Sequence, residues 1–346
     1  MYKIKIEKLP ALFQSIACTQ RLYLPIKQGG QVNFDSFDEK KEIDFTEVNT
    51  VKSPKELFFP AGEDLYSCQD IAGKISLSPK EYEKGAFVVF GVRSCDIRAL
   101  EVLDRVFLVS PKDSYYAARR EAGTIISLAC QSPDTTCFCN AFSIDPTNPG
   151  ADVDTWIVGE ELYWEARSDK GETLTKVLGE LLEVAQCFDE EQVKKQKEEV
   201  WSIVDRLPLG KIFLSGWGEK AQKTRFESEV WGTLSKTCLA CGTCTFICPT
   251  CQCYDIKDYN TGHEVIRYRC WDSCMYSDFT MMAHGNNRTT QMQRFRQRFM
   301  HKLCYYPANN EGVYACVGCG RCVAKCPSSL HIAKVVKEFE KEEVSQ

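Results

Sequence analysis

The chain has 346 residues, of which 44% are hydrophobic and 26% are charged, and its formal net charge is −5. This length suffices for two domains, and the acidic balance argues against bulk nucleic-acid binding, which requires a strongly basic domain. The longest apolar run, residues 86–92, is far shorter than the roughly 20 residues of a membrane span, and no export signal is visible, so we expect a cytoplasmic protein without a membrane span.

The first half of the chain predicts an α/β domain over residues 1–187. From about residue 83, the segment "GAFVVFGV" reads as a buried strand that runs into a helix. The apolar positions of that helix are Ile97, Leu100, Leu103 and Phe107. The run "GTIISLAC" at residues 123–130 reads as a second strand, followed by the loop "QSPDTTCFCN". This strand–helix–strand order favours neighbouring parallel strands whose ends meet at one edge of a sheet.

The middle of the chain predicts a β-hairpin and two helices. The hairpin covers residues 155–167, and the helix that follows has six apolar residues on one face. Those six are Leu174, Val177, Leu178, Leu181, Leu182 and Ala185. The next helix, at residues 188–201, carries Glu–Lys pairs at the favourable i,i+4 offset. We interpret it as a solvated surface helix within a linker, residues 188–225, that joins two domains.

Strand signals end near residue 226. The rest of the chain, residues 226–346, reads as helical and rich in cysteine, and sixty-seven residues separate Cys248 from Cys316. This interval lies between two C-x2-C-x2-C-x3-C runs followed by proline, the spacing of bacterial ferredoxins, and its length favours a helical ferredoxin domain over the compact β-rich type. The expected fold class is therefore α+β, an N-terminal α/β domain followed by an all-α, ferredoxin-like dicluster domain.

Thirteen of the twenty cysteines lie between Cys238 and Cys326. Because the cytosol keeps thiols reduced, this usage points to metal rather than to disulfides. Two groups repeat C-x2-C-x2-C-x3-C followed by proline, the bacterial ferredoxin run that binds a [4Fe–4S] cluster. The first group is Cys238, Cys241, Cys244 and Cys248, and the second is Cys316, Cys319, Cys322 and Cys326.

The cysteine before each proline points away from its own motif and ligates the other cluster. We therefore predict one cluster on Cys238, Cys241, Cys244 and Cys326. We predict the other on Cys316, Cys319, Cys322 and Cys248. Zinc is the alternative metal, but its ligands typically come as two separated pairs, and a zinc site requires neither a run of four thiols nor the proline.

Four cysteines of the N-terminal half form a third candidate site, namely Cys95, Cys130, Cys137 and Cys139. Cys95 follows a predicted strand and opens a helix, where the helix dipole favours a thiolate. Cys130 ends the next strand, and the loop after it carries the other two. Parallel strands would bring the four thiols to one edge of the sheet, and a cubane needs four, so a third [4Fe–4S] cluster is one interpretation of this placement. Ordinary loop and core thiols are the alternative.

The roles of the remaining cysteines are open. Cys251, Cys253 and Cys274 either bind metal or shield the clusters. Packed thiols are expected at Cys18, Cys68, Cys187, Cys270 and Cys304.

Two further patterns carry weaker signals. In "RFRQRFMHK", a basic stripe of Arg294, Arg298 and Lys302 faces solvent or a partner, compensates cluster charge, or binds nucleic acid. The G-x-G-x-x-A match from Gly216 to Ala221 lacks an acidic residue about 20 positions on, so no dinucleotide site is expected.

Several segments resemble a known family. "TCLACGTCTFICPTCQCYDIKD", "RCWDSCMYSDF", "RFRQRFMHK" and "CVGCGRCVAKCP" are similar to the iron–sulfur β subunits of flavin-linked cytosolic [NiFe] sulfhydrogenases. They also resemble the related A subunits of anaerobic sulfite reductase. "FGVRSCDIRALEVLD" and "CQSPDTTCFCN" extend the resemblance towards residue 55, and "WDSC" and "CFCN" favour the hydrogenase type. Cys95, Cys130, Cys137 and Cys139 match the family's four N-terminal cysteines one by one, and with this resemblance we predict a third [4Fe–4S] cluster on them. Cys270 departs from the family's pattern.

The resemblance implies an electron-transfer subunit of a hetero-oligomeric anaerobic oxidoreductase. Such a subunit carries electrons between a flavin subunit that oxidises NAD(P)H and a separate catalytic subunit. We expect no catalytic residue and no substrate site in this chain. The alternatives are a sulfite reductase A-type subunit, an enzyme that reduces a sulfur substrate at its own cluster, and a structural metal-binding adaptor. An incomplete ligand set would mark the enzyme, and three complete sets speak against it.

Overall fold

The computed structural model describes residues 1–71, 73–80 and 85–345, except for the side chains of residues 71 and 343–345. The strands are β1 (Tyr2–Lys5), β2 (Arg21–Gln28), β3 (Gln31–Ser36), β4 (Glu42–Ile43), β5 (Gly62–Ile71), β6 (Lys74–Pro79), β7 (Phe87–Val92), β8 (Gly123–Ser127), β9 (Val153–Val158), β10 (Glu161–Ala166), β11 (Glu183–Val184), β12 (Tyr254–Asn260), β13 (Val265–Trp271), β14 (Met281–Met282) and β15 (Gly285–Asn286).

The α-helices are α1 (Leu9–Ala17), α2 (Lys55–Phe58), α3 (Ser94–Phe107), α4 (Ser114–Ala122), α5 (Asp169–Val177), α6 (Cys187–Val204), α7 (Gln222–Glu227), α8 (Val230–Ser235), α9 (Thr243–Phe246), α10 (Gln291–Met300), α11 (Tyr306–Asn309), α12 (Arg321–Lys325) and α13 (Ile332–Ser345). A π-helical turn, His301–Tyr305, follows α10, and a short 3-10 helix covers Cys139–Phe142. Helices and several sheets occur together, which confirms the α+β class.

The larger sheet lies in the N-terminal half, with the strand order β11-β1-β10-β9-β8-β7-β2-β3 and with β4 paired to β2. Its central strands β2, β7, β8 and β9 are parallel neighbours. Every residue of β7 is buried, as is typical of a parallel strand covered on both faces. Val88 and Phe90 pack with α1 on one face, whereas Phe87 and Val89 pack with α3 on the other. The predicted strand–helix–strand unit is confirmed, although residues 83 and 84 lie outside the described residues.

A second sheet, in the order β12-β13-β5-β6, joins the two halves of the chain. β13 pairs with β12 in an antiparallel hairpin, and its other edge pairs with β5. The prediction of an all-α region after residue 226 is therefore wrong at residues 254–260 and 265–271, and also at residues 281–286, where β14 pairs with β15. The hairpin is completed by β5, which lies almost two hundred residues earlier, so its stabilising partner could not be seen in the local sequence.

The helix predicted from the apolar face of residues 174–185 ends early. α5 stops at Val177, a 3-10 turn covers Gly179–Leu181, and β11 then pairs with the edge strand β1. Leu174, Leu178 and Leu182 all pack in the same core. Their regular spacing therefore indicates that the three side chains are buried, but it does not indicate one continuous helix.

The charged helix predicted at residues 188–201 is confirmed as α6, which begins with a capping box between Gln186 and Asp189. Its valines Val193, Val200 and Val204 are buried, and the last two pack beside Cys137. One face of this helix is therefore packed against the N-terminal half, and its charged face is exposed, as expected of a solvated surface helix. The domain boundaries at residues 187 and 226 stay predictions.

Aromatic side chains form the core of the C-terminal part. Trp231 of α8 lies against Phe295 and Phe299 of α10 and against Phe339 of α13. Because this core fixes the helices on either side of the two ferredoxin motifs, it holds the cysteine loops in place.

Candidate iron–sulfur sites

The first ferredoxin loop and the end of the second line one cavity. Its four cysteines are Cys238, Cys241, Cys244 and Cys326. The loop is tight because Ala240 and Gly242 adopt left-handed conformations, with φ of 53° and 75°. The Ala240 N–H also donates to Cys238 Sγ at 3.4 Å. The structure thus brings together the set predicted for one cluster.

The second ferredoxin loop lines another cavity together with the last cysteine of the first motif. Its four cysteines are Cys316, Cys319, Cys322 and Cys248. Gly318 and Gly320 take the same left-handed positions as Ala240 and Gly242, with φ of 60° and 81°. The same turn is therefore built twice, and each loop sends its final cysteine to the other cavity.

Buried cations lie at both cavities. The Arg298 side chain lines both of them, and Lys302 lines the second. The Lys302 ammonium lies 3.4 Å from Cys248 Sγ and donates to Thr250 Oγ1 at 2.8 Å and to the Ala315 carbonyl at 2.9 Å. Burial alone would lower its pKa, but the neighbouring thiolates, Cys248 foremost, raise that pKa well above its usual range.

These contacts distinguish among the interpretations of the basic stripe. Arg298 and Lys302 are only 3% and 4% exposed, so neither is available to solvent, a partner or nucleic acid. Charge compensation beside the clusters suits both. Arg294 has a different role, because its guanidinium donates to the carbonyls of Met275 and Arg288.

The four N-terminal cysteines lie at the same end of the parallel strands β7 and β8. Cys95 is the second residue of α3, Cys130 follows β8, and Cys137 and Cys139 occupy the loop and the start of its 3-10 helix. Burial and the neighbouring Cys130 thiolate raise the pKa of Cys137 to about 11 and of Cys139 to about 12. Burial, the Asp96 charge and the Cys319 thiolate raise the pKa of Cys95. The four thiols are thus electrostatic neighbours, and Cys95 is also a neighbour of the second cavity.

The loop of the N-terminal thiols touches the second ferredoxin loop directly. The Phe138 N–H donates to the Gly318 carbonyl at 2.9 Å. A Cβ at Gly318 would lie 2.3 Å from the Phe138 carbonyl oxygen, so only glycine permits this approach. Asn49 spans the same junction, since its Nδ2 donates to the Cys319 carbonyl at 2.7 Å and approaches Cys137 Sγ at 3.7 Å.

A buried ion pair fastens this junction, and the sequence analysis did not identify it. Arg321 donates to both carboxylate oxygens of Asp96 at 2.6 and 2.7 Å, and both residues are almost fully buried. Arg321 lies inside the second ferredoxin motif, and Asp96 follows Cys95. The only signal available was that each charge stands next to a predicted ligand.

Lys55 was also missed, and it lies beside the first ferredoxin motif although it comes from α2. Its ammonium donates to the carbonyls of Cys248 and Cys251, both at 3.0 Å, and sits 3.7 Å from the Trp271 ring centroid. Burial lowers its pKa to about 8.

The remaining cysteines differ in their surroundings. Cys251, Cys253 and Cys274 are half-buried beside Cys248, and Cys304 is buried in the C-terminal core as expected. Cys68 and Cys270 are half-buried on β5 and β13. The prediction of packed thiols is wrong at Cys18 and Cys187, which are exposed at helix ends.

The arrangement of the thiols suits a polynuclear centre. Within the described residues, no three His, Cys, Asp or Glu side chains come close enough to hold a single metal ion. In the two ferredoxin cavities, four cysteines instead surround a space, as a cubane with one thiolate on each iron requires. The buried Arg298 and Lys302 match the negative charge of such a cluster. None of the described helices is both long and apolar enough to cross a membrane.

Comparison with known proteins agrees with this chemistry. Residues 237–330 match the family model of the 4Fe-4S dicluster domain. The chain is therefore an iron–sulfur protein whose cofactors are [4Fe–4S] clusters and whose role is electron transport. It is also similar to sulfhydrogenase 2 subunit beta of Pyrococcus furiosus, with 31% identity over 352 aligned residues that cover 97% of each chain. The chain belongs to the family of sulfhydrogenase β subunits.

Proposed function

We propose that this chain is the electron-relay subunit of a cytoplasmic hetero-oligomeric oxidoreductase of the hydrogenase type. It carries electrons between a flavin subunit that oxidises NAD(P)H and a separate catalytic subunit, and it has no substrate site of its own. The proposed ligands of its three [4Fe–4S] clusters are Cys95, Cys130, Cys137 and Cys139; Cys316, Cys319, Cys322 and Cys248; and Cys238, Cys241, Cys244 and Cys326.

The observation that carries the proposal is that the three cysteine sets lie in series. The hydrogen bond from Phe138 to Gly318 joins the loop of the N-terminal set to the loop of the second cavity. Arg298 then lies between the second cavity and the first, since it lines both. Because electron transfer slows steeply with distance, contact between successive sites is what a relay needs.

One end of this series reaches the surface. Cys241 is exposed, and Leu239 beside it is an apolar side chain that is 68% exposed. Tyr276, whose hydroxyl donates to the Cys241 carbonyl, is also partly exposed. This end supports contact with one redox partner, which would approach the cluster on Cys238, Cys241, Cys244 and Cys326.

An iron count and electron paramagnetic resonance test the three-cluster relay. Anaerobically reconstituted chain should contain about 12 irons, at four per cubane. The double change Cys137→Ala with Cys139→Ala should remove about four of them and leave the signals of the two ferredoxin clusters in place. The matched control is Cys304→Ala, because this thiol is buried in the C-terminal core and lines neither ferredoxin cavity, and it should keep every iron.

Two results would contradict the proposal. An iron count of about 8 in fully reconstituted chain would remove the N-terminal cluster from the relay. Rapid bleaching of the clusters by NADPH without any flavoprotein would mean that the chain oxidises the nucleotide itself. The proposal instead expects NADPH to bleach the clusters only after a flavoprotein that oxidises NADPH has been added.

A further inference from the structure

Three thiols outside the proposed cluster ligands form a line that leads away from Cys248. The side chains of Cys251 and Cys248 are close neighbours, as are the side chains of Cys253 and Cys274. Cys251 and Cys253 are also electrostatic neighbours of one another. Four sulfurs thus connect a proposed ligand of the second cavity with a pair of half-buried thiols.

The fold determines the contact between Cys253 and Cys274. Tyr254 and Trp271 are opposite each other at the open end of the β12–β13 hairpin. The Asp272 N–H extends this pairing by donating to the Cys253 carbonyl at 3.0 Å, and Cys274 follows two residues later. Sequence places the two cysteines twenty-one residues apart, but the hairpin register brings their side chains together.

Neighbouring residues hold this segment firmly. Lys55 bonds to the carbonyls on both sides of the Cys248–Cys251 turn, and its ammonium lies over Trp271, the last residue of β13. Ser273, next to Cys274, is fully buried, and its hydroxyl lies 2.8 Å from Thr245 Oγ1 on α9. The thiol pair is therefore anchored to the first ferredoxin motif at two points.

We propose that Cys253 and Cys274 form a reversible disulfide, a two-electron couple beside the cluster held through Cys248. In the reductive direction, the S–S bond breaks, and two electrons, which the reduced relay delivers one at a time through the [4Fe–4S] cluster, convert it with two protons from solvent into two thiols. In the oxidative direction, the two thiols reduce a small disulfide by exchange, form the S–S bond again and release two thiols as product. The reductive half rests on the proposed function, because it needs electrons from the relay.

A disulfide fits the geometry better than a further metal site does. The two side chains contact each other as a pair, and no three candidate donors among the described residues converge on one ion. Both residues keep part of their surface exposed. A dithiol that forms and breaks its disulfide reversibly suits a position next to an electron relay.

The test uses the full-length, cluster-loaded chain under anaerobic conditions. The protein is treated with cystamine, its free thiols are blocked with N-ethylmaleimide in denaturant, and its peptides are analysed by mass spectrometry. We expect a peptide cross-linked through Cys253 and Cys274, and its loss when dithionite is added. In a reductive titration of cystamine-treated protein, wild type should take up two more electrons per chain than the variant Cys253→Ser with Cys274→Ser.

The matched control is Cys270→Ser, which changes a half-buried thiol of the same hairpin and should titrate like wild type. If Cys253 and Cys274 are alkylated in every wild-type sample, the couple is overturned. The cross-link in wild-type protein decides the matter even if the double variant does not fold. Failure of the relay would appear separately, in the iron count and the paramagnetic signals, because cystamine forms the cross-link without the clusters.

Discussion

Replacement of Lys302 by methionine should lower the reduction potential of the cluster in the second cavity. Lys302 carries a buried positive charge 3.4 Å from Cys248 Sγ, and reduction adds a negative charge to the cluster that this cysteine is proposed to hold. Methionine has a similar length and no charge, so the change leaves no large cavity. The Ala315 carbonyl stays bonded, because Thr250 Oγ1 also donates to it at 2.8 Å. The variant should therefore fold and assemble its clusters.

The size of the effect follows from Coulomb's law. With 3.4 Å between the charges and an effective dielectric constant of about 20, a full electron on the sulfur would interact with the ammonium by about 5 kcal/mol. The added electron is shared over the whole cluster, so we take about a third of that value, roughly 1.6 kcal/mol. A tenfold change in an equilibrium constant corresponds to about 1.4 kcal/mol and, for a one-electron couple, to about 59 mV. The reduction potential of the cluster should therefore fall by about 70 mV.

A redox titration followed by electron paramagnetic resonance measures this shift. The control is Lys325→Met, which removes an exposed lysine next to Cys326, where water and salt screen the charge. It should move no cluster potential by more than about 20 mV, since exposed charges interact weakly. If Lys302→Met leaves the potential of the second-cavity cluster within about 20 mV of wild type, the buried lysine does not tune the cluster.

Two further substitutions and one pH dependence test the proposed sites. Cys326→Ala should remove the paramagnetic component of the cluster on Cys238, Cys241 and Cys244; loss of the component on Cys316, Cys319 and Cys322 instead would refute the crosswise ligation. Gly318→Ala should lower the melting temperature and loosen the N-terminal cluster, because a left-handed alanine costs about 1–2 kcal/mol even before the clash with Phe138. Gly232→Ala, on a helix with open space around it, should leave the melting temperature unchanged or raise it. Reconstitution of the N-terminal cluster should improve as pH rises from about 7 to about 9, because iron binds thiolates and the pKa values of Cys137 and Cys139, about 11 and about 12, keep both protonated at neutral pH. Iron uptake that is independent of pH would show that metal binding does not require Cys137 and Cys139 to release their protons.

The cysteine spacing was the most informative feature of the sequence. In each motif, the residues directly before and after the second cysteine have a left-handed conformation. The two-residue spacing therefore produces the same turn around Cys241 and around Cys319. Because that turn is local, the sequence was sufficient to predict which loops would carry the thiols. The unit β7, α3 and β8 was predictable for a similar reason, since its apolar periods are strong and its strands are neighbours in the chain.

The features that the sequence did not reveal are all long-range. The β12–β13 hairpin is completed by β5, and Lys55 comes from α2 to bond with the carbonyls of Cys248 and Cys251. Neither contact has a local signature, because a strand with polar and aromatic residues gains stability from the strand beside it. The long interval between the two cysteine motifs favoured a helical ferredoxin domain, but β12 and β13 lie within that interval.

The buried pair of Arg321 and Asp96 indicates that the two halves of the chain work as one unit. Removal of either partner would leave an uncompensated charge in the interior, which costs about 3–5 kcal/mol. The pair lies between Cys95 and Cys319, so any separation of the N-terminal half from the ferredoxin part would expose this charge pair and break the contact between the two thiol loops together. Since Lys55 adds a second attachment at Cys248 and Cys251, the N-terminal half is fixed against the second cavity from two sides. A relay whose sites are held in this way can pass electrons without any movement of one half relative to the other.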